Sequence, residues 1–490
     1  MALSEKLKYL AKHSAIYTFS QILARLSGLL LMPLFTNTKL VSVHEYSAYG
    51  FFLPAAVIST SLFSLGMESA LVRYLKLETS KRRIVINTAI SIILISVLVL
   101  VCLNILFNDW IAAVLIQDSN MLELAYCLGF LVALDLLTNL PNNYYRADER
   151  PTFYIFLRIL RTCLELIFIY CGIVVFDLGV LGAGYGLLTA AIVNLLIISP
   201  FYFKHYRFQF DPIFFKRMLK FGIPLLPASV LFLMIEVSGR YFLNFFISKE
   251  VQTAFMNIYK FGGILSILNY GFRSAWQPIM LKESQSGDLT YYVRVMNYFL
   301  VVATSIMVIT SLLALDVIRY NPFSFIRALI SDPFYYSEAH VLALILTGYV
   351  FLGIYYNLSY VFYLKERSKE LAYIAGFGFL INIAVNSLMA IWPEHGTIIS
   401  ASATFSSFFS MAIIGFIRSQ KLFYIPYNLK NVAIMSLFMV LVCIVTVGQF
   451  DLSFLIKVLI TFLYLPYLLL TRVITVHDLS AIGTLFKRKK

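Results

Sequence analysis

The chain has 490 residues, 60% hydrophobic and only 13% charged, with a mean hydropathy of +0.83 and a net charge of +14. Soluble domains carry about 25% charge, so a soluble enzyme is excluded and an all-α, polytopic membrane protein is expected. Cys102, Cys127, Cys163, Cys171 and Cys443 all fall in apolar runs with no CxxC or Cys/His cluster, which argues against a zinc site or disulfide frame.

Apolar runs of 18 or more residues, each able to cross about 30 Å of hydrocarbon, predict fourteen transmembrane helices. They cover 13–37, 47–72, 84–107, 121–141, 153–176, 180–203, 220–247, 252–281, 295–319, 339–364, 370–392, 397–417, 430–449 and 452–471. Lys6, Lys8 and Lys12 lead directly into the first span, without the short apolar region and small-residue site of a cleaved signal. A basic linker, Lys204 to Lys220, separates the sixth and seventh spans. The expected organisation is an N-terminal six-helix lobe (1–210), a C-terminal six-helix lobe (211–425), and two extra helices with a basic tail (426–490). Each half opens alike: a long helix with an arginine (Arg25, Arg240), an outer acid (Glu45, Glu250), then a tyrosine (Tyr49, Tyr259). Two such halves of even helix number would be parallel repeats.

Charge sets the direction of the spans. With the N-terminus inside, cytoplasmic loops collect Arg73, Lys76, Lys81, Arg82, Arg83, Lys204, Arg207, Lys216, Arg217, Lys220, Lys365, Arg367, Lys369 and the tail Lys487–Lys490. Outer loops hold Lys39, Lys249, Arg319 and Arg327 beside acids such as Asp109, Asp118, Glu338 and Glu394. This is the positive-inside pattern repeated along the chain, so both termini are expected in the cytoplasm. The same distribution argues against nucleic acid, because small basic groups abut spans and no soluble fold presents them to a groove.

Charges inside the spans cost roughly 2.5–3.5 kcal/mol each at a helix centre on insertion scales, and are the candidate functional residues. Arg25 lies mid-span among Ser20, Gln21, Ser27 and Gly28, either in a structural ion pair or facing a water-filled cavity. Glu68 and Arg73, near the inner end of the second span, form a gate or simply mark the interface. Arg158, Arg161 and Glu165 share a helical face by i,i+3 and i,i+4 spacing. Glu165 can neutralise one arginine, leaving the other free or paired with Asp135 of the preceding span, while Arg158 is close enough to the cytoplasm to snorkel. Glu236 and Arg240 are again i,i+4, an internal salt bridge or a cavity pair. Lys260 and Arg273 lie at two depths of one span, and Lys457 is placed to snorkel to the surface. The cations outnumber the acids, which favours an anionic guest. Arginine suits phosphate because its planar fork donates two parallel hydrogen bonds.

Tyr144-Tyr145 and Tyr355-Tyr356 are read first as interfacial belt residues, with stacking on sugar rings as the second reading. Gly262-Gly263 and Gly182-Ala183-Gly184 read as close helix packing. No metal spacing, nucleophile elbow or phosphate-binding glycine loop is present, so no cofactor is expected.

Several stretches in order resemble the Wzx-type O-antigen and polysaccharide flippases of the MOP (MATE-like) superfamily. They are Glu45-Tyr46-Ser47-Ala48-Tyr49-Gly50 with Leu65-Gly66 and Val72-Arg73-Tyr74, and Tyr144-Tyr145-Arg146-Ala147-Asp148-Glu149-Arg150. They continue with Phe221-Gly222-Ile223-Pro224-Leu225-Leu226-Pro227, Ala275-Trp276-Gln277-Pro278, and Asn382 and Asn386 followed by Pro393, Gly396 and Ser400–Thr404. The resemblance implies fourteen helices in two six-helix lobes, with an alternating-access cationic cavity in a bacterial inner membrane. The implied substrate is an undecaprenyl-diphosphate-linked oligosaccharide, a repeat unit of O-antigen or another surface polysaccharide. Polysaccharide polymerase and chain-length machinery are the implied partners, beside membrane lipids. Relatives often have Asp-Arg where this chain has Gly239-Arg240, with Glu236 one turn earlier as the substitute carboxylate. Arg25 stands where relatives, including lipid II flippases, carry a cavity arginine. Leu31 stands where those flippases would carry a second, which argues against lipid II itself.

The cavity cations expected to hold the anion are thus Arg25, Arg161, Arg240, Lys260 and Arg273. Glu68, Arg73, Asp135, Glu165 and Glu236 are the candidates for gating or for coupling to H+ or Na+. One rival reading is a cation-coupled multidrug exporter of the same fold, which would favour an acidic or apolar cavity. Another is a membrane glycan polymerase or ligase, which would need a larger outer loop than the one at about 320–338. A non-transporting scaffold for glycan assembly is the third.

Overall fold

The computed structural model describes residues 27–77, 79–148, 151–207, 211–283, 289–320, 332–365, 367, 369–450 and 452–474. Among them every regular element is helical. Arg25 and the start of the first predicted span lie outside the described residues, and Met32–Phe35 is a helical turn at that span's end. The longer helices are α1 (Val43–Phe63), α2 (Met67–Leu77), α3 (Arg82–Leu106), α4 (Leu122–Ala147), α5 (Pro151–Tyr170), α6 (Gly179–His205), α7 (Pro212–Gly222) and α8 (Leu226–Phe246). They continue with α9 (Lys249–Glu283), α10 (Leu289–Tyr320), α11 (Leu342–Leu364), α12 (Lys369–Asn386), α13 (Gly396–Leu422), α14 (Leu429–Val447) and α15 (Phe454–Leu470).

Ten described helices are long and apolar enough to cross a membrane by length and composition. At 1.5 Å per residue, the 21 residues of α1 span about 30 Å, so the chain is a multi-pass membrane protein. α5 falls outside that set because its 20 residues include Arg158, Arg161 and Glu165.

Two expectations about the elements are corrected. The predicted span 47–72 is not one helix: it breaks at Leu65 and Gly66, both with positive φ (50° and 69°). A Cβ at Gly66 would lie 2.3 Å from the Gly222 carbonyl oxygen, so only glycine admits both the backbone conformation and the approach. An apolar run carries no mark of such a corner. Part of the basic linker is also helical, since α7 buries Phe214, Met218 and Gly222 as an i,i+4,i+8 stripe. Its start is set by Asp211, whose carboxylate accepts from Ile213 N and Phe214 N at 2.8 and 3.2 Å, with Pro212 at the first helical position.

The chain forms two compact units, one of Met1–Met256 with Leu329–Asp332, the other of Asn257–Ala328 with Pro333–Lys490. In the first, α4 packs against α1, α2, α3 and α6, and α5 lies along α6. A capping box starts α1: Ser42 Oγ accepts from Glu45 N, and Glu45 Oε2 accepts from Ser42 N, satisfying amide groups that the first turn leaves open. The Glu45 Oε1 accepts from Val180 N at the start of α6. A Cβ on Gly182 would sit 2.4 Å from Gly172 backbone, which accounts for the small residues there. In the second unit α11 is the central post, with 94% of its span buried. Its near-continuous apolar sequence suits a helix surrounded on all sides; α10, α13 and α14 pack on it, and α12 lies along α13.

Candidate functional site

The first charged cluster of the first unit is built by α4 and α5. Arg161 sits between two carboxylates, its Nη2 3.2 Å from Asp135 Oδ1 and its Nε 2.5 Å from Glu165 Oε1. The Glu165 contact follows from i,i+4 spacing; the Asp135 contact needs α4 and α5 side by side. Arg161 Nη1 is buried without a hydrogen-bond partner among the described residues. Arg158 donates from Nη1 to the Tyr154 hydroxyl at 3.1 Å, one turn away. One arginine, Arg161, therefore meets both carboxylates, and counting Arg158 the four charges are formally balanced.

On α8, Arg240 Nη1 donates to the Gly50 carbonyl of α1 at 2.9 Å. Glu236 stands one turn earlier, and both are partly buried. Gly50 admits the approach of the chain beyond α8, since a Cβ there would meet Met256 Sδ at 2.2 Å. Nearby, Ser47 Oγ donates to Gln252 Oε1 at 2.8 Å, both buried.

The second unit holds Lys260 and Arg273, both partly buried on α9. The Arg273 guanidinium lies 4.9 Å from the centroid of the Tyr356 ring. The Tyr360 hydroxyl donates to the Arg273 carbonyl at 2.7 Å, fixing α9 against α11 at this level. Tyr270 is 6.4 Å from Tyr356, ring to ring. Among the described residues no carboxylate lies within ion-pair distance of Arg273. Cation–π contact of this kind is worth about 0.5–2 kcal/mol, and the Tyr360 side chain is a second, hydrogen-bonding neighbour of the guanidinium.

Glu68 and Arg73 are not joined by an ion pair among the described residues; exposed Arg73 instead lies 4.3 Å over the Phe221 ring. Three further expectations are corrected. Lys457 does not reach for the surface, because its Nζ is 2.6 Å from Asp316 Oδ2 of α10; in hydrocarbon a nearby carboxylate competes well with a stretched stem. Tyr355 and Tyr356 are not belt residues but 5% exposed within α11. Gly262 does pack closely, 3.0 Å from Ile345 and Tyr349 atoms for a notional Cβ, but Gly263 faces open space.

One cluster had no signature in the sequence beyond isolated loop charges. His44 Nδ1 is 3.0 Å and Lys249 Nζ 3.2 Å from Asp118 Oδ2, and Lys249 Nζ is 2.9 Å from His44 Nε2. It ties the starts of α1 and α9 to the turn before α4. Beside it, backbone and Ser248 hydrogen bonds hold the Glu250 carboxyl below its ordinary range.

Comparison with known proteins places this arrangement. The chain has the fold of the lipid II flippase MurJ in an inward closed conformation (17% identity, 93% of this chain and 98% of that one, TM-score 0.68). It is similar also to an inward-facing multidrug resistance MATE family transporter of the MOP superfamily (14% identity, 81% and 94%, TM-score 0.66). A third is a MOP superfamily transporter from Pyrococcus furiosus whose binding pocket is described as reversed in polarity (15% identity, 82% and 95%, TM-score 0.56). No curated protein matches the chain by sequence. The profile of the polysaccharide biosynthesis protein family matches residues 10–284, more than half of the chain. This multi-pass, all-helical membrane protein therefore belongs to the polysaccharide biosynthesis protein family, as the Wzx-type motifs imply, and carries the fold of MOP-superfamily transporters.

Proposed function

We propose that this chain is a flippase that carries an undecaprenyl-diphosphate-linked oligosaccharide, a surface-polysaccharide repeat unit, from the inner to the outer leaflet of the bacterial cytoplasmic membrane. The observation that carries the reading is Arg273: a guanidinium on the same long helix as Lys260, laid on a tyrosine face, with no carboxylate at ion-pair distance among the described residues. Such a group is costly to keep in a membrane unless an anion visits it. A diphosphate offers the two acceptor oxygens that the fork fits, while the prenyl chain stays in lipid. Family membership and the likeness to the lipid II flippase MurJ support the same class of cargo.

In this reading Arg25, Arg240 and Lys260 continue the cationic path, and Arg161, which meets two carboxylates, contributes least. The lobes 1–210 and 211–425 rock about the substrate, the two helices of 426–490 are accessory, and both termini are cytoplasmic. The inside-negative potential favours outward movement of the dianion by roughly 2.3 kcal/mol per charge per 100 mV. H+ or Na+ countertransport would use Asp135, Glu165 or Glu236, with Glu68 and Arg73 near the inner gate. Polymerase and chain-length proteins would take the product outside, and no covalent step is assigned to the chain.

Arg25→Glu and Arg273→Glu should each abolish surface-polysaccharide assembly at unchanged protein level; normal polysaccharide in both variants rejects the assignment. The paired interior carboxylates Asp135 and Glu165 favour one second reading, a cation-coupled multidrug exporter. Resistance to organic cations on expression, lost in Asp135→Asn, would select it.

A further inference from the structure

We infer that the end of the first unit formed by α2, α7 and the start of α3 is a binding surface for the headgroups of anionic phospholipids. α7 is a short amphipathic helix: Phe214, Met218 and Gly222 are buried, and Lys216, Arg217 and Lys220 are exposed. α2 is its counterpart, with Met67, Ala70, Leu71 and Leu75 buried and Arg73 exposed. The two are locked together. Gly66 and Gly222 meet backbone to backbone, and the Tyr74 hydroxyl donates to the Arg217 carbonyl at 3.3 Å. The surface is thus preformed rather than assembled by its ligand.

Aromatic rings hold the cations in place. Arg73 lies 4.3 Å over Phe221, while Lys81 and Arg217 lie 5.7 and 5.8 Å from the centroid of Phe214. Among the described residues, Arg73, Lys81, Arg83, Lys216 and Lys220 have no carboxylate at ion-pair distance. Two of the local acids are otherwise engaged: Asp211 caps α7, and Asp148 pairs with Arg82 at 2.6 Å, while Glu68 at the start of α2 forms no ion pair with Arg73 among the described residues. Like charges gathered this closely repel one another, and a counter-charge from outside relieves them.

A membrane fits this surface better than an acidic protein does. Exposed apolar residues flank the cations at the same end: Leu77 at 65%, Phe203 at 78% and Ile213 at 64%. The last of these lies on α7 itself, and Phe203 is in the last turn of α6, a spanning helix. Apolar side chains that enter the hydrocarbon edge, with Lys and Arg beside them at headgroup level, are the pattern of an interfacial helix. Basic residues so placed attract anionic lipid within a Debye length of the surface. The inference does not depend on the cargo proposed above.

The test uses the purified full chain, by native mass spectrometry in detergent with equal phosphatidylglycerol and phosphatidylcholine. The wild type should retain phosphatidylglycerol at least tenfold over phosphatidylcholine, a preference that falls several-fold between 0.1 and 0.5 M salt and is not competed by 10 mM inorganic phosphate. The variant R73Q/K81Q/K216Q/K220Q should lose it, while K81R/K216R/K220R keeps it and controls for folding. Equal retention of the two lipids by the wild type, or an unchanged preference in the glutamine variant, overturns the inference. Retention of polyglutamate in place of phosphatidylglycerol would assign the surface to an acidic protein and overturn it equally. If the glutamine variant does not fold, the salt series on the wild type decides, and a salt-insensitive preference counts against the surface.

Discussion

Arg161 and Arg273 are both partly buried arginines on long helices, and the structure treats them oppositely. Arg161 lies between Asp135 and Glu165 at 3.2 and 2.5 Å. Arg273 rests on Tyr356 at 4.9 Å, with no carboxylate within ion-pair distance among the described residues. The first is a satisfied internal charge, whose removal exposes two acids to each other. The second has tyrosine neighbours, Tyr356 and Tyr360, and a charge that no described carboxylate balances at ion-pair distance. A surplus of cations in the spans therefore says less about function than the partner of each one does.

Four substitutions would break or sharpen that contrast. The largest effect is expected at Arg273: R273E should lower polysaccharide export at least about thirtyfold with normal protein level, the order expected when 2–5 kcal/mol of buried anion binding is lost. R273K keeps the charge but not the fork, so immunoblotting of surface polysaccharide should show a partial loss, roughly tenfold. At Arg161 the loss should fall on stability. R161Q leaves two neighbouring carboxylates and should cost up to about 3 kcal/mol, read as a lower melting temperature in detergent. Adding D135N should restore most of it.

Smaller effects are expected away from both arginines. K457M leaves Asp316 without its 2.6 Å partner in α10 and should cost about 1–2 kcal/mol, recovered by D316N. Smallest of all is the glycine pair on α9. G263A should change stability by less than about 0.5 kcal/mol, because nothing lies within 4 Å of its notional Cβ. G262A should cost more, since Ile345 and Tyr349 must give way.

The helical spans were legible because a bilayer demands long apolar runs, and α3, α6, α10 and α13 lie where those runs are. The corner at Leu65-Gly66 was not, since a break that needs only positive φ and a backbone contact with Gly222 leaves hydropathy unchanged. α7 was hidden for the opposite reason: its lysines and arginine made an amphipathic helix look like a linker. Within the site, the Arg161–Glu165 contact is local and follows from helical spacing. Lys457–Asp316 joins residues 141 apart, and Tyr356 under Arg273 joins α11 to α9, so neither can be read from neighbours in the chain. The cluster of His44, Asp118 and Lys249 is the same case on the other unit.

The most direct test is translocation of a prenyl-diphosphate oligosaccharide in vesicles reconstituted with the purified chain, with the leaflet of the sugar read by an impermeant probe. Wild type and R161Q/D135N should move the lipid across the bilayer, and R273E should leave it in the leaflet where it began. Equal movement by wild type and R273E, or none by the wild type, would contradict the central claim that a carboxylate-free guanidinium on α9 receives the cargo's diphosphate.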